Sequence, residues 1–159
     1  MGKLIINGAV ENPVELTYEQ LAAFPAEQQI IDVSRFDPKR QGDAISLRGL
    51  LAVVRPQQAA IYLGLHASTD DFHASIPLAP VLERAFLIYR LAGEPLSPKS
   101  GGPFRFFIPD FAACHTHEID ECANVKFVDR IELTCQPSFD NRPHDAQQHA
   151  ELHEKEQHG

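Results

Sequence analysis

Residues 93–134 read GEPLSPKSGGPFRFFIPDFAACHTHEIDECANVKFVDRIELT, and the reading of the whole chain turns on them. The stretch opens on turn-forming residues, Gly93 to Pro95 and Gly101-Gly102-Pro103. Phe104 to Ile108 is an aromatic and β-branched run that predicts a short buried strand. A loop rich in cysteine and histidine follows, from Cys114 to Cys122. Asn124 to Thr134 then predicts a second strand. Val125, Phe127, Ile131 and Leu133 alternate there with Lys126, Arg130 and Glu132, so one face is apolar apart from Asp129. Arg105 and Lys126 stand near the starts of the two strands, beside a loop rich in glycine. If the strands are neighbours, these cations and the amides of Gly101 and Gly102 make a seat for a small anionic ligand such as a phosphate. The alternative is two solvated charges at strand ends.

Working outward, 159 residues suffice for one domain with a real core and are too few for two comfortable ones. A hydrophobic share of 43% excludes disorder. The net charge of -8 argues against nucleic acid, whose phosphate backbone needs a positive surface, and against anionic membranes. No apolar run approaches the roughly 20 residues that span a bilayer. The first residues, MGKLIINGAVENP, carry no cleavage signature and no myristoylation pattern. All three cysteines lie after position 113, and an odd, clustered set suits a metal site or thiols better than a disulfide framework. The expected compartment is the cytoplasm.

Taken in order, Leu4-Ile5-Ile6 followed by Asn7-Gly8 predicts a strand and turn. Thr17 and Gln20 have the spacing of a capping box, opening a short helix that ends at Phe24-Pro25. Gln29 to Val33 predicts a strand. Leu47, Leu50, Leu51 and Val54 have helical spacing behind Ser46 as N-cap. Ala59 to Leu65 predicts a strand, and His66 to Pro77 a turn followed by a strand. Leu78 to Leu91 predicts the longest helix, with Val81, Leu82, Ala85, Phe86, Ile88 and Tyr89 on its apolar face and Gly93 as C-cap. The domain is expected to run over residues 1–137. Residues 138–159 are almost wholly polar and rich in histidine, and read as a tail.

The order of these features resembles the molybdopterin-binding oxidoreductase domain of the sulfite oxidase family. The resemblance covers roughly residues 4–134. It rests on NP followed by LTYEQL, on LRGLL, on HASTDDFHASIPL, on LAGEPL, on GGPFRFFIP and on NVKFVDRIEL. It implies an α+β fold, a single domain of mixed β-sheet with short helices, and a molybdopterin cofactor gripped in a cleft by cations and amides. The arginine of the family's G-x-P-x-R motif falls on Arg105, and the lysine of its V-K motif on Lys126. His66 and Ser75 lie in the segment that borders the cofactor cleft in the family. The departures are as informative. The family's molybdenum-binding cysteine belongs in the loop after Gln29 to Val33, where this chain has Val33-Ser34-Arg35-Phe36. A serine hydroxyl is a poor substitute for a thiolate. Ser100 stands where a histidine often precedes G-x-P-x-R, and Ala123 replaces an arginine before V-K. The family's N-terminal pocket segment has no counterpart. The expectation is therefore a binding domain for a pterin-type or other phosphorylated ligand, lacking sulfite oxidase activity, with a redox partner protein or a second copy of itself as partner.

Cys114, His117 and Cys122 form a second constellation, spaced for one turn-rich loop around zinc or another transition metal, with His115 or Cys135 as a fourth ligand. Buried thiols beside solvated histidines explain the same residues. His66, His73, Ser68, Asp70 and Asp71 invite a hydrolase reading, but no nucleophile elbow is present and a polar turn accounts for them. His149 and His153 could share a metal on one helical face, or belong to a solvated tail. A third reading of the whole chain is a non-catalytic interaction module.

Overall fold

The computed structural model describes residues 2–143 apart from His115 and His117. The elements are β1 (Leu4–Gly8), β2 (Val14–Leu16), α1 (Tyr18–Ala22), β3 (Gln29–Ile30), β4 (Asp43–Ser46), α2 (Leu47–Val54), β5 (Tyr62–Ala67), β6 (Phe72–Pro77), β7 (Phe86–Leu91), β8 (Glu94–Pro95), β9 (Arg105–Phe107) and β10 (Arg130–Thr134). They make two sheets. One has the order β2-β1-β10-β5-β6, in which only β1 and β10 are parallel. The other runs β3-β4-β7-β8, and β9 also pairs with β7. This is the α+β arrangement with few, short helices that the resemblance implied.

Both helix starts follow from their first residues. The Thr17 hydroxyl accepts from the Gln20 amide while the Gln20 side chain accepts from the Thr17 amide, and the Ser46 hydroxyl accepts from the Gly49 amide. Leu47, Leu50, Leu51 and Val54 bury the inner face of α2 in the main core.

The segment 78–91 is not a helix. Residues 78–85 form turns and Phe86–Leu91 is the strand β7. Leu87 and Tyr89 point into the main core, whereas Phe86 and Ile88 point to the other side, into a smaller cluster with Val33, Ala44, Leu96 and Phe107. A strand buried on both faces is apolar throughout, so its periodicity cannot separate it from a buried helix. Gly93 is accordingly no helix cap. Leu91 pairs with Glu94, and the two-residue turn between them holds Ala92 and Gly93 at φ 54° and 79°.

Two other strands are shorter than their patterns predict. After Ile30, Asp32 turns left-handed (φ 61°) and opens a 3-10 turn at Val33–Arg35. Residues 124–129 do not extend β10. Phe127 sits at φ 60°, and the segment instead bonds across to the glycine loop and β9. Phe127 N donates to Gly101 O, Val128 N to Phe104 O, and Val125 O accepts from Phe106 N.

Residues 138–142 differ from the expected tail: they are docked on the outer edge of β6. Arg142 is only 6% exposed. Its guanidinium donates to Asp140 (2.6–3.1 Å), to the Glu118 and Ser75 carbonyls (2.7 and 3.2 Å) and to Asp120 (3.2 Å). Burial pushes the Asp140 carboxyl up, but Arg142 and the Ser75 and Arg142 amides outweigh it and hold it below the usual carboxylate range. The histidines at 144, 149, 153 and 158 lie outside the described residues.

Two outcomes follow from this packing. Ala92→Asn should stabilise the protein by about 1 kcal/mol, raising Tm by ~3 °C in a thermal melt, because asparagine tolerates the left-handed region better than alanine. Arg142→Met should cost about 1–3 kcal/mol at pH 7 by denaturant titration, since it leaves the partly buried Asp140 carboxylate without its main partner. Stability drawn from a depressed carboxyl is present above its unfolded pKa and lost as pH falls through the folded one, so this cost should shrink in acid.

Candidate functional site

The outer face of the second sheet carries a cavity of about 160 Å³ lined by Lys39, Arg40, Gln41, Ile88, Leu91, Ser100 and Arg105. Ile88 and Leu91 come from β7, Arg105 from β9, and the remaining residues from the loop before β4 and the turn before β9. The pairing of Ile88 with Arg105 sets the arginine against this face.

Both guanidinium groups in the cavity are short of partners. The Arg105 Nε is buried with no hydrogen-bond acceptor, and its Nη1 reaches the Ser100 carbonyl only at 3.5 Å. The Arg40 guanidinium stacks over the Phe107 ring at 5.2 Å. Its Nε is likewise buried without an acceptor, and the Asp37 carboxylate stands 3.8 Å away. Burial and the charge of Arg40 lower the pKa of Arg105, with Asp37 opposing them. An arginine so perturbed is still a cation at neutral pH. Two half-desolvated cations side by side cost free energy that an anion between them would recover.

Lys126 is exposed and does not line this cavity, but it stands beside it. The hydrogen bonds from 125–128 to the glycine loop bring its side chain beside Gly101. A Cβ added to Gly101 would lie 3.1 Å from Arg105 Cδ and 3.5 Å from Lys126 Cγ, so the missing side chain leaves the space between the two cations open. Gly101 also has φ +94°, where other residues are strained. The structure therefore places the Arg105 and Lys126 side-chain stems beside Gly101.

The expected role of the glycine amides is corrected. Gly101 N donates to Pro98 O and Gly102 N to Ser97 O, at 3.0 and 2.8 Å. Closing the 3-10 turn at Pro98–Ser100 uses both N–H groups, so the cradle is made of side-chain cations and empty space. Gly102 serves packing, because a Cβ there would collide with the Leu96 carbonyl.

His66 and Ser75 are not part of this cavity. They lie on β5 and β6 of the first sheet, 3% and 6% exposed. His66 bonds to His73 and Glu132, and the Ser75 hydroxyl accepts from the Ser138 amide. Of the metal candidates, His117 lies outside the described residues. Cys114 sits by the Pro80 carbonyl, and burial pushes its thiol up. Cys114 and Cys122 are not joined by a disulfide. Among the described residues no three His, Cys, Asp or Glu side chains are grouped to hold a metal ion. The Ser34 hydroxyl donates to Asp32 beside it, which holds that carboxyl below its usual range. Sequence reasoning missed Arg40 and Lys39. Their only signal is two adjacent cations in a polar loop, which commonly means a solvated surface.

The oxidoreductase molybdopterin binding domain model matches residues 43–141, a span that includes Arg105 and Lys126 and begins after Arg40. The protein described as the uncharacterized oxidoreductase YuiH of Bacillus subtilis (strain 168) is 31% identical over 113 residues, 67% of this chain and 56% of its own length. The crystal structure of the sulfane dehydrogenase SoxCD from Paracoccus pantotrophus shares the fold, with a TM-score of 0.60 and 22% identity over 86% of this chain and 39% of that one. The chain thus spans little more than half of the curated relative. No helix among the described residues is long and apolar enough to cross a membrane.

Two half-buried guanidinium groups with unsatisfied Nε atoms cost stability. In low-salt buffer free of multivalent anions, Arg105→Met should raise the unfolding free energy by roughly 1 kcal/mol by relieving repulsion and desolvation. Chemical denaturation of both proteins, with and without sulfate, checks this: the advantage should vanish or reverse when sulfate is present.

Proposed function

This chain belongs to the oxidoreductase molybdopterin-binding domain family, and from that premise we propose that it binds a molybdopterin-type cofactor, or a similar phosphorylated ligand, in the cavity between Arg40, Arg105 and Lys126. One observation carries the reading: the two arginines that line this cavity each have an Nε buried without an acceptor. A phosphate dianion supplies the acceptors and the charge that both lack. Arg105 would hold it from β9, Lys126 from beyond Gly101, and Arg40 from the opposite loop. When bound, such a cofactor supplies a pterin dithiolene able to carry a redox metal.

The residues fit the anionic end of that cofactor better than the metal end. At the position where the family places its thiolate, this chain offers the Ser34 hydroxyl, already bonded to Asp32. A hydroxyl is a harder and less acidic donor than a thiol. We therefore read the domain as a cofactor-binding member of the family that does not oxidise sulfite.

Incubation with molybdopterin released from a molybdoenzyme, followed by gel filtration and fluorescence of the oxidised pterin, tests the binding. The expected outcome is retention by the wild type, competition by inorganic phosphate, and at least a ~10-fold loss of affinity in Arg105→Ala, the scale of one charge-assisted contact. Equal retention by both proteins would refute the site.

A further inference from the structure

A row of titratable side chains crosses the edge of the first sheet, and none of them lines the cavity above. His66 on β5 and His73 on β6 are cross-strand neighbours. Their Nδ1 atoms lie 2.8 Å apart and their ring centroids 5.0 Å apart. His66 Nε2 is 3.0 Å from the Glu132 carboxylate on β10, and His73 Nε2 is 3.0 Å from the Asp71 carboxylate. The side chains thus form three consecutive contacts of hydrogen-bond length: Glu132 to His66, His66 to His73, and His73 to Asp71.

Each contact needs one hydrogen. Two neutral imidazoles bring two, and ionised carboxylates bring none. With two neutral rings, one contact must set a lone pair against a lone pair or against a carboxylate oxygen. The geometry is satisfied when the row holds one proton more, whichever site it occupies at a given moment. We propose that Glu132, His66, His73 and Asp71 share this extra proton at neutral pH, and that it latches residues 138–142 onto β6.

Charges around the row act on that count in both directions, and their net effect with burial lowers the His66 pKa. The row carries two carboxylates and one extra proton, a net single negative charge, and Arg130 Nη1 stands 3.7 Å from Glu132. Burial, Arg130 and His73 disfavour charge on His66, while Glu132 favours it. The Asp129 amide donates to the His66 carbonyl and its carboxylate faces the Ser68 amide. On the strap, Asp140 and Arg142 are spent on each other.

The connection to the strap is direct. His73 N donates to Asn141 Oδ1 at 2.8 Å, and His73 O accepts from Asn141 N at 2.9 Å. Asn141 Nδ2 donates to the Asp71 carbonyl at 2.7 Å, and the Phe139 ring packs on the His73 ring at 4.9 Å. β6 is a sheet edge, and the strap satisfies the outward-facing groups of His73 that would otherwise invite another strand. A second added proton would set two Nδ1–H donors against each other. Removal of the shared proton would leave one contact without a hydrogen, either the pair of Nδ1 lone pairs or a ring nitrogen facing a carboxylate oxygen. In either case the row breaks at one contact, the His73 ring is freed to turn, and the Phe139 ring packed on it loses its seat beside the backbone bonds of Asn141. Strap closure should therefore have a bell-shaped pH dependence.

The full chain, labelled with ¹⁵N, tests this between pH 4 and 9. The reporters are the side-chain nitrogen shifts of His66 and His73 and the exchange of the His73 and Asn141 amides, with the Ile131 amide as a core reference. At neutral pH the nitrogens should show three protons over the two rings, or two with Glu132 or Asp71 protonated. Amide protection at residues 73 and 141 should peak there and fall about tenfold per pH unit on each limb after correction for intrinsic exchange, the slope of a one-proton linkage. His73→Gln should flatten both limbs. Two neutral rings beside ionised Glu132 and Asp71 at pH 7, flat protection in the wild type, or an Ile131 amide that follows the same curve would overturn the proposal. The wild-type nitrogen shifts decide the matter even if His73→Gln does not fold.

Discussion

Burial of β7 on both faces is the constraint around which the molecule is assembled. Leu87 and Tyr89 tie the strand to the main core, and Phe86 and Ile88 tie it to the smaller one. Tyr89 is fixed further by its hydroxyl, which donates to Gln29 at 2.8 Å, while the Gln29 amide nitrogen donates to Leu21 O. The strand therefore connects α1, β3 and β4 to β9 through one continuous packing surface. Since β9 pairs with β7, the position of Arg105 depends on this apolar strand.

On that surface the protein places cations where water is scarce. Phe107 carries the Arg40 guanidinium on its face and is itself 5.4 Å from the Phe86 ring, which in turn contacts Phe36. The aromatic series removes water from one side of the charges, which strengthens their pull on an anion and raises the cost of leaving them unpaired. Gly101 contributes by having no side chain. The cavity thus combines a small volume with two guanidinium groups in its lining.

The other end of the molecule solves a different problem. β6 would be an exposed sheet edge, and a short polar segment covers it through Asn141, Asp140 and Arg142. Arg142 also holds the Glu118 carbonyl and the Asp120 carboxylate, so the same residue anchors the loop after Cys114. Its charge is tolerated in burial because each guanidinium nitrogen has an acceptor, unlike Arg40 and Arg105. The contrast is between a saturated buried arginine and two half-buried ones that each keep an unsatisfied Nε.

The sequence alone was sufficient where a feature is decided within a few residues. The capping box of Thr17 and Gln20, the Ser46 cap and the short strand at Arg105–Phe107 are local hydrogen-bond and steric preferences, legible without the fold. The nearness of Arg105 and Lys126 to a glycine loop was legible as well, although Lys126 lies in an irregular segment rather than at a strand end. Tertiary structure decided the remainder. Leu78 to Leu91 has an apolar pattern that a helix and a doubly buried strand share, and only a second core on the far face distinguishes them. The amides of Gly101 and Gly102 were consumed by a turn whose closure depends on the backbone path. Arg40 became part of the cavity through Phe107, which lies 67 positions away, and Arg142 left the polar tail for the interior because its acceptors come from β6 and a distant loop. Burial and partner choice are properties of the assembled chain, since they depend on which surfaces exclude water from which charges.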